Sequence, residues 1–200
     1  MNRQRIKRIV ALGLLVGLLL SACGSPSFRG SPLDPPVDVP DFQLVDEHGQ
    51  PFRLSDQRGR VVLLFFGYTS CPDVCPTTLA TWRQVHESLG EDAERVRFVF
   101  VTVDPERDTT ERLGMHVDAF QPDFVGLTGS QEELEAVYEV FDVFYEKDTS
   151  SQSALGYLVS HTATTFVIDP EGRWRLRESY GTLVEDLVHD IRQLLGEHSS

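Results

Sequence analysis

Two near-continuous apolar runs, GRVVLLFFGY (residues 59–68) and VRFVFVTVD (96–104), dominate the hydropathy pattern and fit strands buried on both faces. Between them, Leu79, Trp82, Val85 and Leu89 recur at spacings of three and four, which predicts a helix over 76–90. Strand, helix and strand then form a crossover unit, right-handed by the general rule. Ahead of it, DFQLVDEHGQPFRL reads as two short strands around His48-Gly49-Gln50, an N-terminal hairpin extension. Downstream, the pattern predicts a helix over 108–120 and a short strand in FVGLTG. A helix QEELEAVYEVF follows, opened by a capping box of Ser130 and Glu133. Residues 146–154 read as a polar loop or hairpin tip. TTFVIDPEGRWRLRESYG reads as a hairpin turning at Asp169-Pro170-Glu171-Gly172, and residues 182–195 as a closing amphipathic helix.

The expected class is α/β, a central mixed sheet flanked by helices, in an element order that resembles a thioredoxin-like domain. The first 40 residues stand apart. A basic stretch with Arg3, Arg5, Lys7 and Arg8 runs into ALGLLVGLLLSAC, which fits an export signal and is short for a membrane span. Leu20-Ser21-Ala22-Cys23 resembles a bacterial lipobox, which implies cleavage before Cys23 and lipidation of its sulfur. The expected organisation is therefore a lipoprotein signal peptide over 1–22, a Pro/Ser/Gly-rich flexible tether over 23–40 and one domain over 41–196. The chain would be exported, lipid-anchored and extracytoplasmic.

Charge narrows the partners. The whole chain carries 18 Lys+Arg against 31 Asp+Glu, a net charge of −13. Loss of residues 1–22 removes four positive charges and leaves −17. Such a surface argues against nucleic acid and leaves room for cations or a basic partner.

The chain has three cysteines. With Cys23 assigned to lipidation, Cys71 and Cys75 remain, in YTSCPDVCPTT at the junction of the first buried strand and its helix. Pro76 suits the first helical position, which places Cys75 at or beside the N-cap. Free N–H groups and the helix dipole favour thiolate there, the form that attacks disulfides and that binds metal. Redox pair and metal chelate both remain open on that ground. A third donor would separate them, and His161 in YLVSHTATTFVID lies just before a strand expected to approach the cysteine loop. Where thioredoxin-like oxidoreductases carry proline at that approach, this chain has Ala163. Two thiolates and an imidazole suit copper, with zinc as competitor. His48, His86, His116, His189 and His198 lie away from the loop and receive no role.

YTSCPDVCPTTL, VTVDPERDT and YLVSHTATTFVIDPEG together resemble the Sco/SenC family of thioredoxin-fold copper proteins, over roughly residues 38–196. The resemblance implies a membrane-tethered copper metallochaperone that binds Cu(I) or Cu(II) through Cys71, Cys75 and His161. It also implies a role in assembling the CuA centre of cytochrome c oxidase, with its subunit II and other periplasmic copper donors as partners and the chain acting as a monomer. Asp73 matches an acidic position of the family, implying a carboxylate that tunes charge near the metal or at times ligates Cu(II). Asp104 and Pro105 read as a turn. The chain departs from the family pattern at Ser160, where aspartate often precedes the ligand histidine, and in a lipidated cysteine replacing a membrane-spanning helix. Alternative readings are a thiol-disulfide oxidoreductase, with Cys71 and Cys75 as the redox-active pair that reduces CuA-site cysteines, and a copper or redox sensor.

Overall fold

The computed structural model describes residues 27–153 and 156–198. Its strands are β1 (Ser31–Asp38), β2 (Gln43–Asp46), β3 (Pro51–Arg53), β4 (Val61–Gly67), β5 (Val96–Thr102), β6 (Val125–Thr128), β7 (Tyr145–Ser153), β8 (Gly156–His161), β9 (Thr164–Ile168) and β10 (Arg173–Ser179). Its α-helices are α1 (Val74–Leu89), α2 (Thr110–Asp118), α3 (Gln131–Phe141) and α4 (Val184–His198).

Eight strands form one mixed sheet in the order β1-β10-β9-β4-β5-β6-β2-β3, while β7 and β8 pair as a separate ribbon. The apolar run Val61–Gly67 lies at its centre and is buried at all seven positions. It runs parallel to β5, which is parallel to β6, and antiparallel to β9 on its other side. Successive residues of β4 face opposite sides. Phe65 meets Trp82 of α1 edge-on at 6.2 Å, and Phe66 meets Tyr138 and Phe141 of α3 at 5.8 and 5.7 Å. Helices thus cover both faces, as a strand apolar throughout requires. Each such ring contributes about 1.5–3 kcal/mol by leaving water.

The hairpin β2–β3, the Ser130–Glu133 capping box and the β9–β10 hairpin stand where the sequence places them. Three segments differ. Residues 31–38, read as flexible tether, form β1 on the sheet edge, pairing with β10 at Ser31↔Arg177 and Pro32↔Leu176 and again, after a register shift, at Val37↔Trp174 and Asp38↔Arg173. An edge strand tolerates proline, since its outward N–H groups need no partner, and its exposure leaves no apolar alternation to detect. Residues 146–154, read as a polar loop or hairpin tip, do belong to a hairpin, but as most of its strand β7, whose polarity reflects a ribbon lying off the main sheet. Helix α1 begins at Val74 with Asp73 as N-cap, two residues before Pro76. Proline is tolerated there because the first four helical N–H groups have no acceptor within the helix.

Candidate metal centre

The chain turns sharply after β4. Gly67 is required there, because a Cβ on it would stand 2.7 Å from Cys75 Sγ and 2.7 Å from the Phe100 ring. The Cys71 N–H donates to the Tyr68 carbonyl at 3.1 Å, closing the turn that carries the first cysteine. Thr69 is tied down by Asp108, whose carboxylate accepts from the Thr69 N–H at 3.0 Å, the Thr69 hydroxyl at 2.6 Å and the Thr102 hydroxyl at 2.7 Å. Asp108 is 1 % exposed. Its three hydrogen bonds couple the cysteine loop to the end of β5.

Helix α1 then delivers Cys75 on its first turn, fully buried, while Cys71 remains partly exposed in the preceding loop. His161 arrives as the last residue of β8, a strand the sequence did not resolve from its neighbours. Its ring stands edge-on to Phe65 and Tyr68, each at 5.8 Å. Its Nδ1 lies 3.2 Å from the Thr162 carbonyl, a contact only a protonated Nδ1 can make favourably. Nε2, on the other side of the ring, lies 3.4 Å from Cys75 Sγ. The carbonyl after His161 orients the ring in place of a preceding carboxylate, since Ser160 is exposed and pairs with Glu146 across the ribbon.

The sulfurs differ in charge. A hydrogen bond from Cys75 holds Cys71 far below the ordinary thiol range, at about 3, with His161 and the N–H groups of Asp73 and Cys75 adding to the effect against the opposing cost of burial. Burial pushes the Cys75 thiol up, and the Cys71 thiolate beside it pushes the same way. The metal-free pair is therefore one accessible thiolate backed by a buried thiol, and metal binding at both sulfurs must displace the Cys75 proton.

Among the described residues, Cys71, Cys75 and His161 are the cluster whose donor atoms all lie within 4.8 Å of one another. Metal–donor bonds of about 2.0–2.3 Å bring such donors to roughly 4 Å apart, so small side-chain shifts suffice. The donor set, two sulfurs and an imidazole nitrogen, fits a soft metal ion. Asp73 is exposed and outside that cluster; it contributes its N–H to Cys71, and its carbonyl accepts from Thr77. None of the other five histidines joins the cluster. His116 packs on Phe100 and Phe120, and His189 contacts Asp190. Cys23 and the segment read as an export signal lie outside the described residues, among which no helix is long and apolar enough to cross a membrane.

Sequence reading missed Asp108 and Tyr68. The signal for Asp108 was a second aspartate in VDPERD at the carboxyl end of β5, the same end of the sheet as the cysteines. Tyr68 reads as one more apolar residue of its strand, yet it lies under the imidazole and its hydroxyl accepts from the Val159 N–H at 3.2 Å.

Known proteins share this fold. The apo Sco1 protein of Thermus thermophilus is 44 % identical, with a TM-score of 0.75 over 86 % of this chain and 99 % of that one. Bradyrhizobium japonicum ScoI, solved with copper bound, is 32 % identical with a TM-score of 0.72, over 79 % of this chain and 99 % of its own. An SCO2-like protein of Rickettsia felis is 33 % identical over 186 residues, 87 % of this chain and 89 % of the relative. The SCO1/SenC family model matches residues 32–196. That match runs from β1 into α4 and takes in every element that builds the cluster: the chain belongs to the SCO1/SenC family.

Proposed function

We propose that this protein is a copper metallochaperone that holds Cu(I) or Cu(II) as cargo on Cys71, Cys75 and His161 and assists assembly of the CuA centre of cytochrome c oxidase. The observation that carries the reading is the Nε2 of His161 brought within 3.4 Å of Cys75 and within the same 4.8 Å cluster as Cys71. A disulfide enzyme needs no imidazole there. Partial exposure of Cys71 lets an incoming thiolate of the acceptor reach the cargo, while buried Cys75 and the strand-borne His161 retain it until the exchange is complete. The copper-bound relative supports the choice of metal, and family membership supports the oxidase assembly role; the acceptor in this reading is subunit II. Export and lipidation at Cys23 would hold carrier and acceptor on one membrane and raise their effective concentration.

The test is titration of reduced, metal-free protein with Cu(I) and Zn(II) in competition. One Cu(I) per chain is expected, with affinity collapsing in Cys71→Ser, Cys75→Ser and His161→Ala. Zinc preference, or full Cu(I) affinity in His161→Ala, overturns the reading.

A second reading rests on the same pair of sulfurs. An exposed thiolate with a buried thiol behind it is the arrangement of a thiol-disulfide reductant: Cys71 attacks a substrate disulfide, Cys75 resolves the mixed disulfide, and two electrons pass to the substrate as the pair closes. Reduction of an acceptor's cysteines that survives His161→Ala would favour it.

A further inference from the structure

The ribbon β7–β8 carries His161 without belonging to the main sheet. An isolated two-stranded ribbon is marginally stable in water, so the imidazole is only as well placed as the ribbon's attachments. Tyr157, Val159 and His161 alternate along β8 and share one of its faces. Val159 is buried and donates to the Tyr68 hydroxyl. The second attachment lies at Tyr157. Arg107 Nη1 donates to the Tyr157 carbonyl at 3.0 Å, and the guanidinium lies 3.7 Å over the Tyr157 ring. Arg107 Nε pairs with Asp104, and the Tyr157 hydroxyl donates to the other oxygen of the same carboxylate at 2.6 Å. Asp104 is fully buried. At the rim, Lys147 of β7 pairs with Glu106 at 2.8 Å.

We propose that Arg107 is a positioning residue for His161: through Asp104 and Tyr157 it bolts the ribbon to the turn after β5 and so holds the imidazole against the two sulfurs. The inference rests on the copper reading above and adds the device that sets its geometry. The turn 104–108 also supplies Asp108, which holds Thr69 of the cysteine loop. One five-residue turn therefore grips both halves of the site, the sulfurs through Asp108 and the imidazole through Arg107. A planar guanidinium meets the Tyr157 carbonyl, its ring and the Asp104 carboxylate together; an ammonium cannot.

The experiment uses Tyr157→Phe, which keeps the ring and removes only the hydroxyl, and Arg107→Lys, each alone and combined with His161→Ala. Two readouts are taken: Cu(I) affinity by chelator competition, and amide hydrogen exchange of the metal-free protein. Each single variant is expected to lower Cu(I) affinity about tenfold, as for the loss of one well-placed hydrogen bond. Neither should lower it further once His161 is alanine, because a residue that acts through another shows no independent effect in its absence. In the metal-free protein, amides of residues 157–162 should exchange about tenfold faster while those of β4 and β5 stay unchanged. An equal loss in the His161→Ala background overturns the proposal, as does unchanged affinity in both single variants or faster exchange spread over β4 and β5. A parent protein that binds no Cu(I) overturns the copper reading instead, and the metal-free exchange result then judges the bolt by itself.

Discussion

The charge difference between the two sulfurs predicts an unusual pH profile. Cys71, held at about 3, is almost wholly thiolate at pH 4.5. An ordinary thiol of pKa about 8.5 is only about 0.01 % thiolate there. Nucleophilicity falls with basicity along a slope of about 0.4–0.5, so the less basic Cys71 sulfur attacks a disulfide roughly 300-fold more slowly per thiolate. The two effects oppose each other. Population gains about 10⁴-fold and reactivity loses about 300-fold, so Cys71 should outpace an ordinary thiol by about 30-fold at pH 4.5, match it near pH 6 and fall behind above. The decisive feature is the flatness of its rate between pH 4.5 and 7.5. The assay is reaction of reduced, metal-free protein carrying Cys23→Ser with 4,4′-dithiodipyridine, following release of thiopyridone. Two equivalents should appear per chain, the second as Cys75 resolves the mixed disulfide. In Cys75→Ala the largest cause of the low Cys71 pKa is gone, so one equivalent should appear at a rate that climbs with pH across 5–7. A parent rate rising tenfold per pH unit from 5 to 8, or an alanine variant with the parent's flat profile, would refute the reasoning.

Two further outcomes follow from the packing. Gly67→Ala puts a methyl group against Cys75 Sγ and the Phe100 ring, and the overpacking should cost about 1–3 kcal/mol in urea unfolding while disturbing the Cys71 pH profile; unchanged stability and an unchanged profile would contradict the crowding. Glu178, buried against Asp190, is raised to about 7 chiefly by burial. The native state thus keeps a proton that the unfolded chain loses near pH 4.3, and stability should fall as pH rises from about 4.3 to 7 and level off above. The drop is on the order of 1–2 kcal/mol once solvent screening is allowed for, and Glu178→Gln should flatten it; a variant with the parent's slope would place the titration elsewhere.

The central sheet was legible because β4 and β5 are buried on both faces, which leaves runs of apolar residues that no loop would carry. The three donors were legible for a different reason: thiols are scarce in this chain, two sulfurs at a strand–helix junction leave few uses, and among six histidines His161 alone stands just before the strand expected to approach them. What escaped were the parts whose burial is one-sided or absent. β1 is an edge strand interrupted by prolines, and β7 belongs to a polar ribbon, so neither shows the alternation that marks a half-buried strand. Arg107 and Asp108 escaped because their role is to hold backbone groups of Tyr157 and Thr69, contacts set by the crossing of distant segments and invisible in spacing. Tyr68 was hidden by its own apolar neighbours.

The attachment of the N-terminal segment changes how far the domain can travel. Asp190 of α4 accepts from the N–H groups of Arg29 and Gly30 at 2.8–3.0 Å, and β1 continues directly along β10. Under the proposed anchoring at Cys23, six residue steps separate the lipid from the fixed Arg29, and not the 17 residues ending at Pro40. At about 3.3–3.6 Å per residue, six residues span roughly 20 Å, against about 60 Å for the longer tether. So anchored, the domain would move over the membrane more as a pivoting body than as a ball on a string. Its proposed cargo site would then sweep a thin layer above the lipid, and a copper acceptor would have to present its own ligands within that layer.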